Sequence, residues 1–134
     1  MIAAFVLATS CQAVRADSSL YARPGGEPAV TAVVSELVEV MRTDPVSGHH
    51  FRKVNHKRLK ATITEQICSL VGGPCAFDSD DMKTTHAGLP VTETDFYRLV
   101  QHLVIILDRH GVRGREKNEL LAILAPLKRD VVTR

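Results

Sequence analysis

Six histidines and three cysteines are the side chains best suited to chemistry in this 134-residue chain. A neutral imidazole binds metals and exchanges protons near neutral pH, and a thiolate binds metals or acts as a nucleophile. His49, His50 and His56 lie in a polar connection and read as solvated residues. His102 and His110 share one helical segment, where each fits a surface position or a satisfied pairing. His86 closes a short segment, with Ala87-Gly88 directly after it and Pro90 beyond. On pattern alone it is an unremarkable histidine. Cys11, Cys68 and Cys75 form no C-x-x-C pair and have no histidine at finger spacing, which argues against a zinc site. Cys68 and Cys75 are expected as two free thiols; an exported chain, with Cys11 removed or lipidated, could link them instead. No serine sits in a G-x-S-x-G turn. The doublets Gly25-Gly26 and Gly72-Gly73 are isolated, unlike a phosphate-cradling loop. No carboxylates pair at a spacing that suggests acid–base work.

The elements that must position these groups are helices. Val30, Val33, Val34, Leu37, Val38 and Met41 recur at helical spacing from residue 27 onward and predict one amphipathic helix with a single apolar stripe. Asp44-Pro45 stops it, because proline disfavours helix at the residue before it. A second helix is predicted from about Asn55 to Val71, with Leu59, Ile63, Ile67, Leu70 and Val71 on one face. Gly72-Gly73-Pro74 ends it. A short helix follows around Asp81 to Ala87. Thr92 reads as an N-cap with Asp95 as its capping-box partner. The helix it opens carries Phe96, Leu99, Val100, Leu103, Ile106 and Leu107 inward and ends near Gly111. A last helix from about Arg115 to Val131 buries Leu120, Leu121, Ile123, Leu124 and Leu127, with a kink at Pro126. No segment reads as a strand, so the class is all-α.

Composition bounds what such a chain does. Hydrophobic residues make up 45%, aromatics only 4% and tryptophan is absent, so aliphatic side chains must fill the core. A net charge of +2 is too weak to imply nucleic acid or an anionic membrane surface as partner. The basic run Arg52-Lys53, His56-Lys57-Arg58 and Lys60 has no interleaved aromatic residues and reads as a solvated helix start. No stretch reaches the ~18–20 apolar residues that span a bilayer. Met1 to Ala8 is a short apolar run followed by Ala-x-Ala-like endings near Ala13 to Ala16. Residues 1–16 therefore read as a signal peptide or lipoprotein leader, with Cys11 as the lipidation site of the latter, although a positive n-region is missing. Residues 17–134 read as one domain. The compartment would be periplasmic or lipid-anchored with a functional leader, and cytoplasmic without one.

An ordered set of short motifs narrows the reading. Ser19-Leu20-Tyr21 leads to Gly25-Gly26-Glu27-Pro28-Ala29-Val30, then Asp44-Pro45, His50-Phe51 and Arg58-Leu59-Lys60. Leu70-Val71-Gly72-Gly73-Pro74, Met82-Lys83-Thr84-Thr85-His86-Ala87-Gly88-Leu89, Val91-Thr92 to Phe96 and Ala125-Pro126-Leu127 follow. In this order and spacing they resemble the group-1 truncated haemoglobins, from about residue 19 to 132. The resemblance implies a truncated two-over-two globin fold holding haem b, with His86 as the proximal iron ligand. It places Phe51 on the aromatic that packs against the haem face. It puts Leu59, Ile63, Ile67, Met82, Val91, Phe96, Val100 and Leu124 at haem-contact positions. Phe77 replaces a frequent tyrosine, and Lys60 or Lys83 could pair with the propionates.

The distal side departs from the family pattern. The usual Phe-Tyr pair on the first long helix is Leu37-Val38 here, so the tyrosine hydroxyl is absent. The distal pocket is expected to comprise Leu37, Val38, Leu59, Thr62 and Ile63, with Ile67 also facing the ligand and Thr62 as the nearby polar candidate. The implied function is reversible binding of O2, CO or NO, with O2 held weakly, and an unidentified reductase as a possible partner. The alternatives are a haem enzyme for nitric-oxide, nitrite or peroxide chemistry, and a globin-fold module that has lost haem.

Overall fold

The computed structural model of the chain describes residues 19–77 and 82–134. The leader reading, Cys11 and the start of the short helix at Asp81 lie outside the described residues. Six α-helices follow in order: α1 (Glu27–Thr43), α2 (His56–Leu70), α3 (Met82–His86), α4 (Glu93–Arg109), α5 (Gly114–Leu124) and α6 (Lys128–Val131). Short 3-10 turns at Gly48–Phe51 and Ala125–Leu127 complete the regular structure among the described residues.

All six residues of the α1 apolar stripe are buried, and the stripe meets two sets of neighbours. Val33, Leu37 and Met41 join Leu103, Ile106 and Leu107 of α4 and Leu120 of α5 in the main core. Val30, Val34 and Val38 form a second cluster against Leu59, Ile63 and Ile67 of α2. Residues four apart stack along one helix face, so 30/34/38 and 33/37/41 are adjacent parallel rows. One wide apolar surface thus lets α1 pack against α2 on one side and α4 and α5 on the other, giving the two-over-two layering.

Local chemistry sets the helix ends. Proline in the first turn of α1 costs no hydrogen bond, because that N–H has no helical acceptor. Asn55 caps α2 by accepting the Arg58 N–H at 3.0 Å. The capping box on α4 forms in both directions: Thr92 Oγ1 accepts from Asp95 N at 3.1 Å and Asp95 Oδ2 accepts from Thr92 N at 3.0 Å. Leu70, placed inward by the α2 pattern, is instead exposed, whereas Val71 just past the helix is buried. The expected last helix is broken: Pro126 lies in the 3-10 turn between α5 and α6, because it has no N–H for the helical ladder.

The cysteines correct another expectation. Cys68 and Cys75 are joined as a disulfide, not left as free thiols. The chain turns between them at Gly72, with φ of +85°, and Gly73. A Cβ on Gly73 would lie 2.5 Å from Cys68 Sγ and 2.7 Å from a Tyr21 ring carbon, so the close approach of these groups requires glycine there.

Candidate functional site

Between the two helical layers lies an apolar cavity of about 330 Å³. Its size falls within the roughly 300–1,000 Å³ of small-molecule sites. Leu37 and Val38 of α1, Phe51, Leu59, Thr62, Ile63 and Ile67 of α2, Met82 and His86 of α3, Phe96 and Val100 of α4, and Leu124 of α5 all border it. Phe77 borders it as well. Residues that the sequence spreads over most of the chain therefore converge on one space. Val91 does not: it is buried away from the cavity, and its carbonyl accepts the N–H groups of Thr133 and Arg134. Lys60 is also occupied elsewhere, with Nζ 2.9 Å from Glu39 Oε1.

His86 is the imidazole on the cavity wall. It ends α3, and its Nδ1 lies 2.8 Å from the Met82 carbonyl oxygen one turn earlier. A carbonyl accepts only, so Nδ1 carries the proton and Nε2 is left with the lone pair that binds a metal. Haem iron takes a protein imidazole as a ligand, and His86 would supply it. An apolar cavity with one oriented imidazole fits that group.

Polar groups on the wall extend beyond Thr62. Gln66, Thr85 and Glu116 also border the cavity. The Gln66 carboxamide donates from Nε2 to Met82 Sδ at 2.8 Å. Glu116 is buried and pairs with Arg23 at 3.1 Å. Gln66 is missed by a search for apolar periodicity, yet it lies four residues after Thr62 and three after Ile63. That spacing is the signal that places it on the same face of α2.

The segment that presents Phe51 is anchored by histidines expected to be solvated. His50 Nε2 lies 3.0 Å from Asp95 Oδ2, and His56 Nε2 lies 3.0 Å from the Phe51 carbonyl oxygen. His49 stays exposed. Just before this segment, the buried Asp44 carboxylate takes Arg98 Nε at 3.1 Å and His102 Nε2 at 2.7 Å. The N–H groups of Val46 and Ser47 reach it at 2.7 and 3.2 Å. The Arg98 guanidinium, helped by His102 and the two amides against the cost of burial, holds the Asp44 carboxyl far below the usual carboxylate range. Burial pushes Asp95 upward, but the Thr92 and His50 hydrogen bonds outweigh it and leave its pKa lowered. These anchors fix the corner between α1 and α2, and with it the Phe51 wall of the cavity.

Fold and site together define a globin. Residues 19–133 match the bacterial-like globin family, and the chain belongs to it. The group 1 truncated hemoglobin GlbN of Mycolicibacterium paratuberculosis is 32% identical over 117 residues, covering 87% of this chain and 85% of the relative. Within the bacterial-like globins this chain is thus a group-1 truncated haemoglobin. Among solved structures, the truncated hemoglobin of Tetrahymena pyriformis in its Fe(III) form superposes with a TM-score of 0.82 at 22% identity, covering 87% of this chain and 99% of that one. The 2/2 hemoglobin of a Synechococcus species, solved in the cyanomet state with covalently attached haem, matches with a TM-score of 0.82 at 23% identity, over 87% of this chain and all of that one. Both share the fold. Membership in the globins carries haem binding and a small gas ligand with it.

Proposed function

We propose that this chain holds haem b through His86 Nε2 and reversibly binds a diatomic gas on the opposite face of the ring. The observation that carries the reading is the His86 geometry: an imidazole on an apolar cavity wall, with Nδ1 committed to a carbonyl 2.8 Å away. Haem iron supplies the gas ligation when bound. The chain's own residues would supply the histidine nitrogen, the apolar walls that exclude water, and Phe51 as an aromatic surface for the ring.

The far wall sets which gas is retained. Leu37, Val38, Leu59, Ile63 and Ile67 carry no hydrogen-bond donor in their side chains, and the Gln66 amide is turned to Met82. A donor favours O2 over CO, because O2 draws negative charge onto itself when it binds. Such a hydrogen bond is worth about 1.5–3 kcal/mol, or one to two decades in affinity. With the short Thr62 hydroxyl on this wall in place of a tyrosine, the pocket should release O2 faster than a tyrosine-bearing one and relatively favour CO or NO. Absorbance spectra of the purified protein, oxidised, reduced and with CO, test the haem assignment, and stopped-flow mixing of the ferrous protein tests O2 release. His86→Ala should abolish the histidine-ligated spectrum. A wild-type-like spectrum in that variant would overturn the ligand assignment.

The Cys68–Cys75 disulfide supports an oxidising compartment, since reducing cytosol keeps such pairs open. Export by the segment 1–16 fits it. Fractionation of cells expressing the full chain tests this; a wholly cytosolic, reduced product would exclude it.

A further inference from the structure

α3 has five residues, Met82–His86, and a helix that short does not hold its own shape in water. Its orientation must come from contacts with neighbours. It packs against α6, and a hydrogen bond reaches it from the other layer. Gln66, on the cavity face of α2, donates its amide to Met82 Sδ at 2.8 Å. Met82 is also the residue whose carbonyl lies 2.8 Å from His86 Nδ1. The three side chains all border the cavity. A continuous chain therefore runs from the α2 amide, through both ends of one methionine, to the imidazole.

We infer that Gln66 is a positioning residue for His86: by holding Met82, it sets the carbonyl that orients the ring and strengthens its electron donation. Sulfur is a weak acceptor, so the link is a directional tether rather than a main source of stability. A carbonyl or carboxylate on the outer nitrogen of a ligating histidine fixes the ring and raises its basicity. Loosening Met82 weakens that bond, leaving the ring freer and the axial nitrogen a poorer donor. The inference rests on the haem reading above, since the consequence at iron requires His86 as ligand. The tether from α2 to α3 exists without it.

The test is a double-mutant cycle with Gln66→Leu and Met82→Leu, which remove donor and acceptor while keeping apolar bulk. In the reduced, haem-loaded protein, resonance Raman reads the iron–histidine stretch. In the haem-free protein, nitrogen NMR reads the His86 Nδ1 signal. Gln66→Leu should lower and broaden the iron–histidine band and move the Nδ1 signal. Met82→Leu should do the same, and the double variant should add little to either. Thermal midpoints, measured alongside, should change little in all three. A Gln66→Leu protein with band and Nδ1 signal at their wild-type positions overturns the inference, as do fully additive shifts. A wild-type chain that takes up no haem overturns the haem reading instead, and the Nδ1 signal then still decides the tether.

Discussion

His86 and Val38 face the same cavity with opposite consequences. His86 presents one nitrogen whose direction is set by a hydrogen bond to the Met82 carbonyl, so its proposed role at iron is local and strong. Val38, only 2% exposed, contributes shape and no polarity. Replacing it by tyrosine puts a hydroxyl on the wall where the family pattern has one. Val38→Tyr should slow O2 release by about ten- to a hundredfold, the worth of one hydrogen bond to a charged acceptor. CO release should change far less. The larger ring costs about 1–3 kcal/mol of packing, so circular dichroism must first show that the variant is folded. A folded variant that loses O2 as fast as the parent would mean that position 38 does not face the ligand.

At the scale of elements, α4 organises the wall. Asp95, Arg98 and His102 follow at helical spacing and share a face. Asp95 meets His50, whereas Arg98 and His102 meet Asp44. One helix face thus clamps the whole corner that carries Phe51. The capping box is what starts that helix in register. Thr92→Ala removes the acceptor for Asp95 N and should cost about 1 kcal/mol. That corresponds to a thermal midpoint lower by about 4 °C for a domain of this size, measurable by calorimetry. Helix spacing and caps were readable here because they depend on residues three or four apart. The partners of His50 and His102 were not readable, since each is met only when separate helices pack, and His56 meets the Phe51 carbonyl five residues back only through the path of the connecting turn. The inward place given to Leu70 failed because periodicity marks an apolar face but not where its neighbours end.

At the scale of the whole molecule, long-range charge pairs close the fold. Asp44 holds Arg98 and His102, Arg23 of the first turn holds Glu116 and Glu119 of α5, and Glu39 holds Lys60 of α2, alongside the local Arg42 three residues on in α1. The Lys60 and Arg42 hydrogen bonds lower the Glu39 pKa to about 2. A carboxylate with a lowered folded-state pKa contributes stability that is present above its unfolded value and is lost as pH falls toward the folded one. For Asp44 the loss should begin near pH ~4, the ordinary aspartate range, and continue well below it. Denaturant melts from pH 7 downward should show stability falling in that window. Asp44→Asn should already be less stable at neutral pH, with Arg98 left without its carboxylate, and should show a flatter acid limb. An unchanged acid limb would mean that Asp44 is not the group that couples protonation to unfolding.

The sequence by itself determined the all-α class, the helix ends at Pro45, Gly72-Gly73 and Thr92, and, through the ordered motifs from Ser19 to Leu127, the globin family, and it singled out His86 as the candidate ligand. These rest on short-range rules and on motif order, which a linear chain displays. Tertiary structure decided what those residues touch. It gathered Phe51, Met82, Phe96 and Leu124 around one cavity and left Val91 outside it. It paired Cys68 with Cys75, took Lys60 to Glu39, and put Gln66 on the wall against Met82. The physical reason is the same throughout. Such contacts join residues on different elements, and they exist only once apolar burial has packed those elements and fixed which faces meet.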